Sequence, residues 1–92
     1  LLGGAFVTSN RESGDGRYDI QLKPTKKGLP GILIELKAEK NCSDEKLKVL
    51  SEAALQQIND KKYETELIAA GVKTVYKYGV AFSGKKVEVT VG

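Results

Sequence analysis

Polar and apolar residues alternate along two neighbouring segments of the chain, Arg17–Lys23 and Gly31–Ala38. Successive side chains of a strand point to opposite faces, so this period of two predicts two β-strands. The residues between them, 24–30, include two prolines and a glycine, which favour a tight loop and an antiparallel hairpin. If the hairpin is symmetric about Lys27, Asp19 lies opposite Glu35.

The second strand of this hairpin has one face that is wholly apolar and one that carries charge. The predicted apolar face consists of Ile32, Ile34 and Leu36, and the opposite face of Leu33, Glu35 and Lys37. Because an apolar run of this kind is typical of a central strand, a charge within it costs stability and indicates a function.

The rest of the pattern predicts one strand before the hairpin and, after it, a helix and two more strands. The predicted elements are a strand over Ala5–Ser9, a turn-rich loop over Asn10–Gly16, a helix from its N-cap Ser43 to about Asp60, two further helical turns over Tyr63–Ala70, and strands over Lys73–Phe82 and Val87–Val91. The first three strands then form an antiparallel meander, and the helix makes a right-handed crossover to a fourth strand parallel to the third. The predicted fold class is α/β (α+β), one domain built on a mixed sheet of five strands.

Asp19, Glu35 and Lys37 are the candidate reaction centre. Directly opposed residues on a shared face of paired strands have Cβ atoms about 4.5–5.5 Å apart. Two carboxylates at that separation repel each other, and a hard divalent cation that prefers oxygen ligands resolves the repulsion. Lys37 lies one step further along the same face.

The same residues also have a purely structural interpretation. Acidic and basic residues that alternate on a strand usually form a solvated face with weak ion pairs, and a slip of the register by two residues would separate Asp19 from Glu35. Gln57, which lies beside Ile58 on the inward stripe of the helix, is either a hydrogen-bonded core residue or a group that reaches towards the catalytic end of the sheet.

Composition restricts the chemistry that is possible. The 92-residue chain contains no histidine, which excludes Ser–His and Cys–His nucleophile pairs and histidine-based zinc sites. Its single cysteine, Cys42, excludes an internal disulfide and suits a reducing cytoplasm. Leu1–Val7 is too short to span a membrane, so no membrane partner is expected. The net charge of +3 is consistent with a polyanionic partner.

Several basic residues are candidates to hold a nucleic-acid backbone. Lys61 and Lys62, at the corner after the helix, are either solvated or in contact with phosphate. Arg11, in the predicted loop, is either exposed or reaches over the mouth of the carboxylate site.

An Asp on one strand followed by Glu-x-Lys on the next resembles the signature of the PD-(D/E)XK nuclease superfamily. Four blocks, in this order, carry a closer resemblance over nearly the whole chain: SNRESGDGRYDI, GILIELK, ALQQINDKKY and KYGVAF. They are similar to the nuclease domain at the C-terminus of bacterial AAA-ATPase-like proteins. The resemblance implies a restriction-endonuclease-like fold over residues 1–92, with the leading helix of the family's core outside this sequence.

The resemblance also implies an activity and its cofactor. The expected enzyme is a Mg²⁺-dependent endodeoxyribonuclease in which Mn²⁺ substitutes, either structure-specific, as Holliday-junction resolvases are, or non-specific. The alternative is a catalytically inactive module that binds nucleic acid or serves an AAA-ATPase-like protein. DNA, an AAA-ATPase-like domain and a second copy of the chain are the expected partners.

The resemblance assigns roles to individual residues. Asp19, Glu35 and the backbone carbonyl of Leu36 would hold the metal ion. Lys37 would orient or activate the attacking water, and Gln57 would support the site. The residues expected to contact nucleic acid are Ser9, Arg11, Lys61, Lys62 and Tyr63. The hairpin lysines Lys23, Lys26 and Lys27 would also help to hold its backbone.

Overall fold

A computed structural model describes the backbone of residues 6–14, 17–26, 28–61 and 63–92, and within these ranges the side chains from residue 19 onwards. The described elements, in chain order, are β1 (Phe6–Gly14), β2 (Arg17–Pro24), β3 (Gly31–Ala38), α1 (Asp44–Lys61), α2 (Tyr63–Ala69), β4 (Val75–Ser83) and β5 (Lys86–Val91). None of the helices in this part of the chain combines the length and the apolar character that a membrane span requires.

The strands form one mixed sheet in the order β1-β2-β3-β4-β5. β1, β2 and β3 pair antiparallel, β3 and β4 pair parallel, and β5 returns antiparallel to β4. The two helices connect β3 to β4, because parallel neighbours need a long crossover. This mixed α/β architecture is consistent with a restriction-endonuclease-like fold.

The β2–β3 hairpin has the register that symmetry about Lys27 predicts. Asp19 pairs with Glu35, and Ile20 pairs with Ile34. A strand alternates its faces with a period of two, so a slip by one residue would have moved every side chain to the other face.

The first strand is longer than the sequence pattern predicts. β1 continues to Gly14, with Arg11 opposite Asp19 and an irregularity between Glu12 and Gly14. The loop predicted over Asn10–Gly16 is therefore wrong for residues 10–14, while residues 15 and 16 lie outside the described part of the chain. β1 is the edge of the described sheet, where polar residues are common and backbone pairing with one neighbour suffices to hold a strand.

The first helix begins at the predicted N-cap. The Ser43 side-chain oxygen accepts a hydrogen bond from the Lys46 backbone N–H at 3.2 Å, and the Ser43 carbonyl accepts one from the Leu47 N–H at 2.9 Å. Asp44 and Glu45 occupy the first turn, where the helix dipole favours negative charge. α2 ends before Gly71, whose φ of 97° is a backbone conformation that glycine adopts readily.

The helices cover the face of β3 that carries Leu33 and Glu35, each 1% exposed. Leu33 packs in a core cluster with residues from both helices and the segment after them, Ile58, Leu67 and Val72. The face with Ile32, Ile34 and Leu36, which the pattern predicts to be the apolar one, is only half-buried. The side of the sheet that a crossover helix covers depends on the handedness of the connection, which the pattern of β3 alone does not contain.

Helix α1 lies very close to β4. A Cβ atom on Gly79 would overlap the Ser51 backbone oxygen and lie 2.5 Å from the Leu55 backbone nitrogen. Only glycine permits this approach, and it brings the length of α1 down onto the middle of the sheet.

Candidate active site

Asp19 and Glu35 are cross-strand partners at the middle of the sheet, and both are buried. Asp19 is 7% exposed and Glu35 is 1% exposed. Buried carboxylates are rare unless charges or hydrogen bonds compensate for the lost hydration. The solvated, weakly paired face that the sequence left open is therefore not what the structure shows.

The compensating charge is the Lys61 ammonium group. Lys61 Nζ donates a hydrogen bond to Asp19 Oδ2 at 2.6 Å and another to Glu35 Oε1 at 3.2 Å. Lys61 is the last residue of α1, and its side chain is 31% exposed, against 9% and 1% for the two carboxylate side chains. The ammonium thus closes the site from its solvent side.

The contact of Lys61 with the carboxylates is a feature that sequence reasoning missed. The pattern predicts a solvated lysine or a phosphate contact at this position. A signal was nevertheless present: Lys61 follows the buried residue Ile58 by three positions, and residues three apart share a helix face. That spacing points Lys61 towards the sheet.

Tyr63, the first residue of α2, contacts both members of this ion pair. Its hydroxyl donates a hydrogen bond to Asp19 Oδ2 at 3.2 Å, and its ring centroid lies 5.9 Å from Lys61 Nζ. A cation at this distance from an aromatic ring is attracted to it. Asp19 Oδ2 therefore accepts two hydrogen bonds, one from each side of the junction between the helices.

The two acids have different proton affinities. Burial, together with the hydrogen bond and negative charge of Asp19, raises the pKa of Glu35 to about 7 against the opposing effect of Lys61. Burial by itself would also raise the pKa of Asp19, but its contact with Glu35 and its hydrogen bonds from Lys61 and Tyr63 leave it below its ordinary value. Near neutral pH, Asp19 is thus the charged acid and Glu35 the one that exchanges a proton.

Lys61 itself stays charged. Its partial burial acts to lower the pKa, but the hydrogen bonds and negative charges of Asp19 and Glu35 outweigh this effect and raise the pKa above its ordinary value. The site accordingly holds one permanent positive charge against two carboxylates.

The other residues of the predicted reaction centre lie on the same elements. Lys37 is half-buried on β3, two residues beyond Glu35 and on the same face, with Ala81 as its partner on β4. Gln57 is half-buried on α1, four residues before Lys61 and hence on the same helix face. Leu36 is half-buried, and its side chain points to the opposite face from Glu35.

Three of the residues predicted to contact nucleic acid are only partly described or not described. Ser9 and Arg11 lie within β1, where their backbone partners on β2 are Gln21 and Asp19, and their side chains are outside the described part of the structure. Lys62 lies outside the described residues altogether.

The oxygen donors of the site fit a hard divalent cation. Asp19 Oδ1 is buried and accepts no hydrogen bond from the described residues, so a carboxylate oxygen is available to a ligand there. The described residues contain no cluster of three or more His, Cys, Asp or Glu side chains that could hold a metal ion. One or two carboxylates with several waters is nevertheless the ligand set that Mg²⁺ accepts.

Comparison with known proteins relates the chain, including its two carboxylates, to one protein family. Neither the curated proteins nor the solved structures contain a significant match to the chain. A family model described as the PD-(D/E)XK nuclease superfamily matches residues 1–91, a range that includes the carboxylates, Lys37 and both helices. The chain belongs to the PD-(D/E)XK nuclease superfamily.

Proposed function

We propose that this domain is a divalent-metal-dependent endonuclease that hydrolyses phosphodiester bonds in DNA, with Mg²⁺ as its cofactor and Mn²⁺ able to replace it. The cut is directed by DNA structure or is non-specific. The observation that supports this best is the buried pair of carboxylates, Asp19 and Glu35, on adjacent strands of a chain that belongs to a nuclease superfamily.

Asp19 and Glu35 would hold the metal ion, with the backbone carbonyl of Leu36 as a third protein ligand. When bound, the metal ion supplies charge neutralisation at the phosphate oxygens and lowers the pKa of a water molecule. Because Glu35 exchanges its proton near pH 7, metal binding requires that this proton be released.

The chain's own side chains supply the rest of the chemistry. Lys37 places a positive charge on the Glu35 face of β3, where it orients the attacking water and stabilises charge on the scissile phosphate. Gln57 supports the site from α1. Tyr63 holds the Asp19 carboxylate in place through its hydroxyl, at 3.2 Å.

DNA would be held mainly through its phosphates. The residues proposed for this contact are Ser9, Arg11, Lys61, Lys62 and Tyr63. The net charge of +3 adds a sequence-independent attraction, so affinity should fall steeply with salt. In the metal-free arrangement Lys61 is engaged by the carboxylates, and it can reach a phosphate only after it leaves them.

Cleavage of branched, duplex and single-stranded DNA with Mg²⁺, with Mn²⁺ and with EDTA tests this function. We expect cutting with either metal and none in EDTA. Glu35→Ala should abolish cutting, whereas Glu52→Ala, an exposed glutamate on α1, should leave it unchanged. Glu35→Gln keeps the size of the side chain but removes its charge, and circular dichroism shows whether each variant is folded. Together they separate a loss of catalysis from a loss of the fold. Unchanged cutting by a folded Glu35→Ala protein would remove the carboxylates from the mechanism.

A second candidate function is a module that binds nucleic acid or a partner without cutting. It is favoured by the Lys61 ammonium, which already compensates both carboxylates without a metal ion. Titration calorimetry discriminates between the two: this alternative requires that Mn²⁺ does not bind and that Asp19→Asn leaves DNA affinity unchanged.

The partners and cellular location of the domain are proposed from its resemblance to the nuclease domains of AAA-ATPase-like proteins, not from a contact in the structure. We propose that the domain works beside an AAA-ATPase-like domain, in the cytoplasm, and that two copies assemble to cut two strands. Sedimentation of the domain with and without branched DNA tests the dimer, which should form at least on the DNA.

A further inference from the structure

The Lys61 ammonium lies between the two acids that the proposed function assigns to a metal ion. We propose that Lys61 is an internal counter-ion that competes with the divalent metal for Asp19 and Glu35, and that metal binding releases its ammonium group towards solvent, where a DNA phosphate can bind it. The identity of the competing ion rests on the proposed function. The place of Lys61 between the acids does not.

The competition follows from the shared pair of carboxylates, which would bring two cations close together. Lys61 Nζ lies 2.6 Å from Asp19 Oδ2 and 3.2 Å from Glu35 Oε1, so it uses one oxygen of each carboxylate. A metal ion held by both carboxylates would lie within a few ångströms of the ammonium group. Two positive charges at such a short distance repel each other strongly in a poorly hydrated site. Either the ammonium group leaves or the metal ion does not bind.

Lys61 is the member of the cluster that can move. Asp19 and Glu35 are carried by paired strands inside the sheet, and their side chains are 9% and 1% exposed. The Lys61 side chain is 31% exposed and stands at the last residue of α1. Its four-carbon stem lets the ammonium group reach water without any change of the backbone.

The release would couple metal loading to DNA binding. While Lys61 is paired with Asp19 and Glu35, its charge is compensated by these carboxylates and cannot bind a phosphate. Once a metal ion replaced it, the ammonium group would stay tethered at the edge of the site. In the metal-free structure it already lies 5.9 Å from the centroid of the Tyr63 ring, at that edge. A cation freed at that position is available to a phosphate only in the metal-loaded state.

The test is titration calorimetry with Mn²⁺ alone on the full 92-residue chain and on Lys61→Met. Methionine keeps an unbranched apolar stem but has no charge, so the acids become available to the metal without a competitor. We expect the dissociation constant for Mn²⁺ to fall about tenfold, as it does when a competent state rises from about a tenth of the population to all of it. Lys61→Arg, which keeps the charge, should bind Mn²⁺ no more tightly than the wild type.

Lys77→Met is the matched control. Lys77 makes an ion pair with Glu64 at 3.1 Å and a hydrogen bond to Asn59, and neither partner belongs to the carboxylate site. Its loss should change the Mn²⁺ dissociation constant by less than twofold. If Lys61→Met and Lys77→Met changed the Mn²⁺ dissociation constant equally, the change in net charge would explain the result. The proposed competition would then be wrong.

A readout on the wild type covers the case in which Lys61→Met fails to fold. Acetylation of lysine amines, followed by mass spectrometry, should be slow at Lys61 in EDTA and severalfold faster with saturating Mn²⁺, while the exposed Lys48 reacts equally in both. An unchanged rate at Lys61 would overturn the proposal.

The outcomes separate the two proposals. If the wild type binds Mn²⁺ and Lys61→Met binds it no more tightly, the competition fails and the metal-dependent function stands. If neither protein binds Mn²⁺, both fail. Tight binding by Lys61→Met alone would support the competition in its strongest form.

Discussion

Glu35 on β3 is the direct partner of Gly79 on the parallel strand β4. The catalytic candidate and the glycine are therefore neighbours in one ladder, and each depends on α1. The helix can approach the sheet because Gly79 has no side chain, and the end of that helix carries Lys61 onto Glu35. Packing in the core and charge compensation in the site are two results of the same close approach.

Replacing Gly79 with alanine should destabilise the protein and disturb the site together. The added methyl group would overlap backbone atoms of α1 at Ser51 and Leu55, which cannot rotate away as a side chain can. Overpacking of this kind costs about 1–3 kcal/mol. Urea unfolding measures the change in the free energy of unfolding.

Gly84→Ala is the comparison for that variant. Gly84 has a φ of 60° and open space around a Cβ atom, so alanine there introduces only backbone strain. Its cost should lie at the lower end of that range, about 1 kcal/mol, because it comes only from the left-handed backbone conformation. If Gly79→Ala were no more damaging than Gly84→Ala, the contact between α1 and β4 would be looser than the structure shows.

The metal-free protein should lose stability as pH rises through neutrality, and Glu35 should be the cause. Burial and the neighbouring Asp19 raise the pKa of Glu35 from 4.5 to about 7, so the folded state binds this proton more tightly than the unfolded state. The resulting stabilisation is complete below about pH 4.5 and is lost as pH rises through 7. By linkage it amounts to at most about 3 kcal/mol. Urea unfolding in EDTA at pH 5 and pH 8 measures it.

Glu35→Gln removes the titrating group and supplies the control. Its stability should change much less than that of the wild type between pH 5 and pH 8. The lowered pKa of Asp19 acts in a different window, because that contribution is lost only as pH falls below about 4. Equal pH dependence in the wild type and Glu35→Gln would assign the effect to other groups.

The predictable part of the site is the part that local periodicity controls. Asp19 and Glu35 face each other in the register that a symmetric β2–β3 hairpin predicts, because a strand alternates with an unvarying period of two. The helix start at Ser43 was predictable for a similar reason, since capping depends on residues within one turn.

The unpredicted part depends on contacts between distant segments. β1 reaches Gly14 because β2 offers it backbone partners, although its polar sequence favours a loop. Lys61 meets Asp19 across 42 positions of the sequence, and the angle at which α1 crosses the sheet decides that contact. The helical spacing from Ile58 indicates only that Lys61 faces inward, not which acids it meets.

Lys37→Ala should abolish most of the cleavage without changing metal affinity. If Lys37 stabilises charge on the scissile phosphate, its removal should lower kcat about 10²–10³-fold, as the loss of one preorganised donor does. Because Lys37 is not among the proposed metal ligands, the dissociation constant for Mn²⁺ should stay within about twofold of the wild-type value. Steady-state cleavage and calorimetry on one preparation measure both quantities.

The control for Lys37→Ala is Lys46→Ala, which removes an exposed lysine whose ion pair with Glu39 lies away from the carboxylates. That variant should cut at the wild-type rate. A Lys37→Ala protein that cuts within fivefold of the wild type would assign the catalytic positive charge to another residue.

Tyr63→Phe should weaken the Asp19 end of the site while keeping the aromatic ring. The variant loses the hydroxyl that donates to Asp19 Oδ2 at 3.2 Å. A hydrogen bond to a buried charged group contributes about 1.5–3 kcal/mol, and we expect the lower end because Lys61 still donates to the same oxygen. The lost donor should also raise the pKa of Asp19, so acid unfolding of the variant should begin at a higher pH. Urea unfolding at pH 7 and an acid titration followed by circular dichroism measure the two effects.

Tyr76→Phe is the control for this variant, because Tyr76 is a tyrosine that is 46% exposed. It should produce neither effect. An equal response of both variants would show that the Tyr63 hydroxyl does not support Asp19.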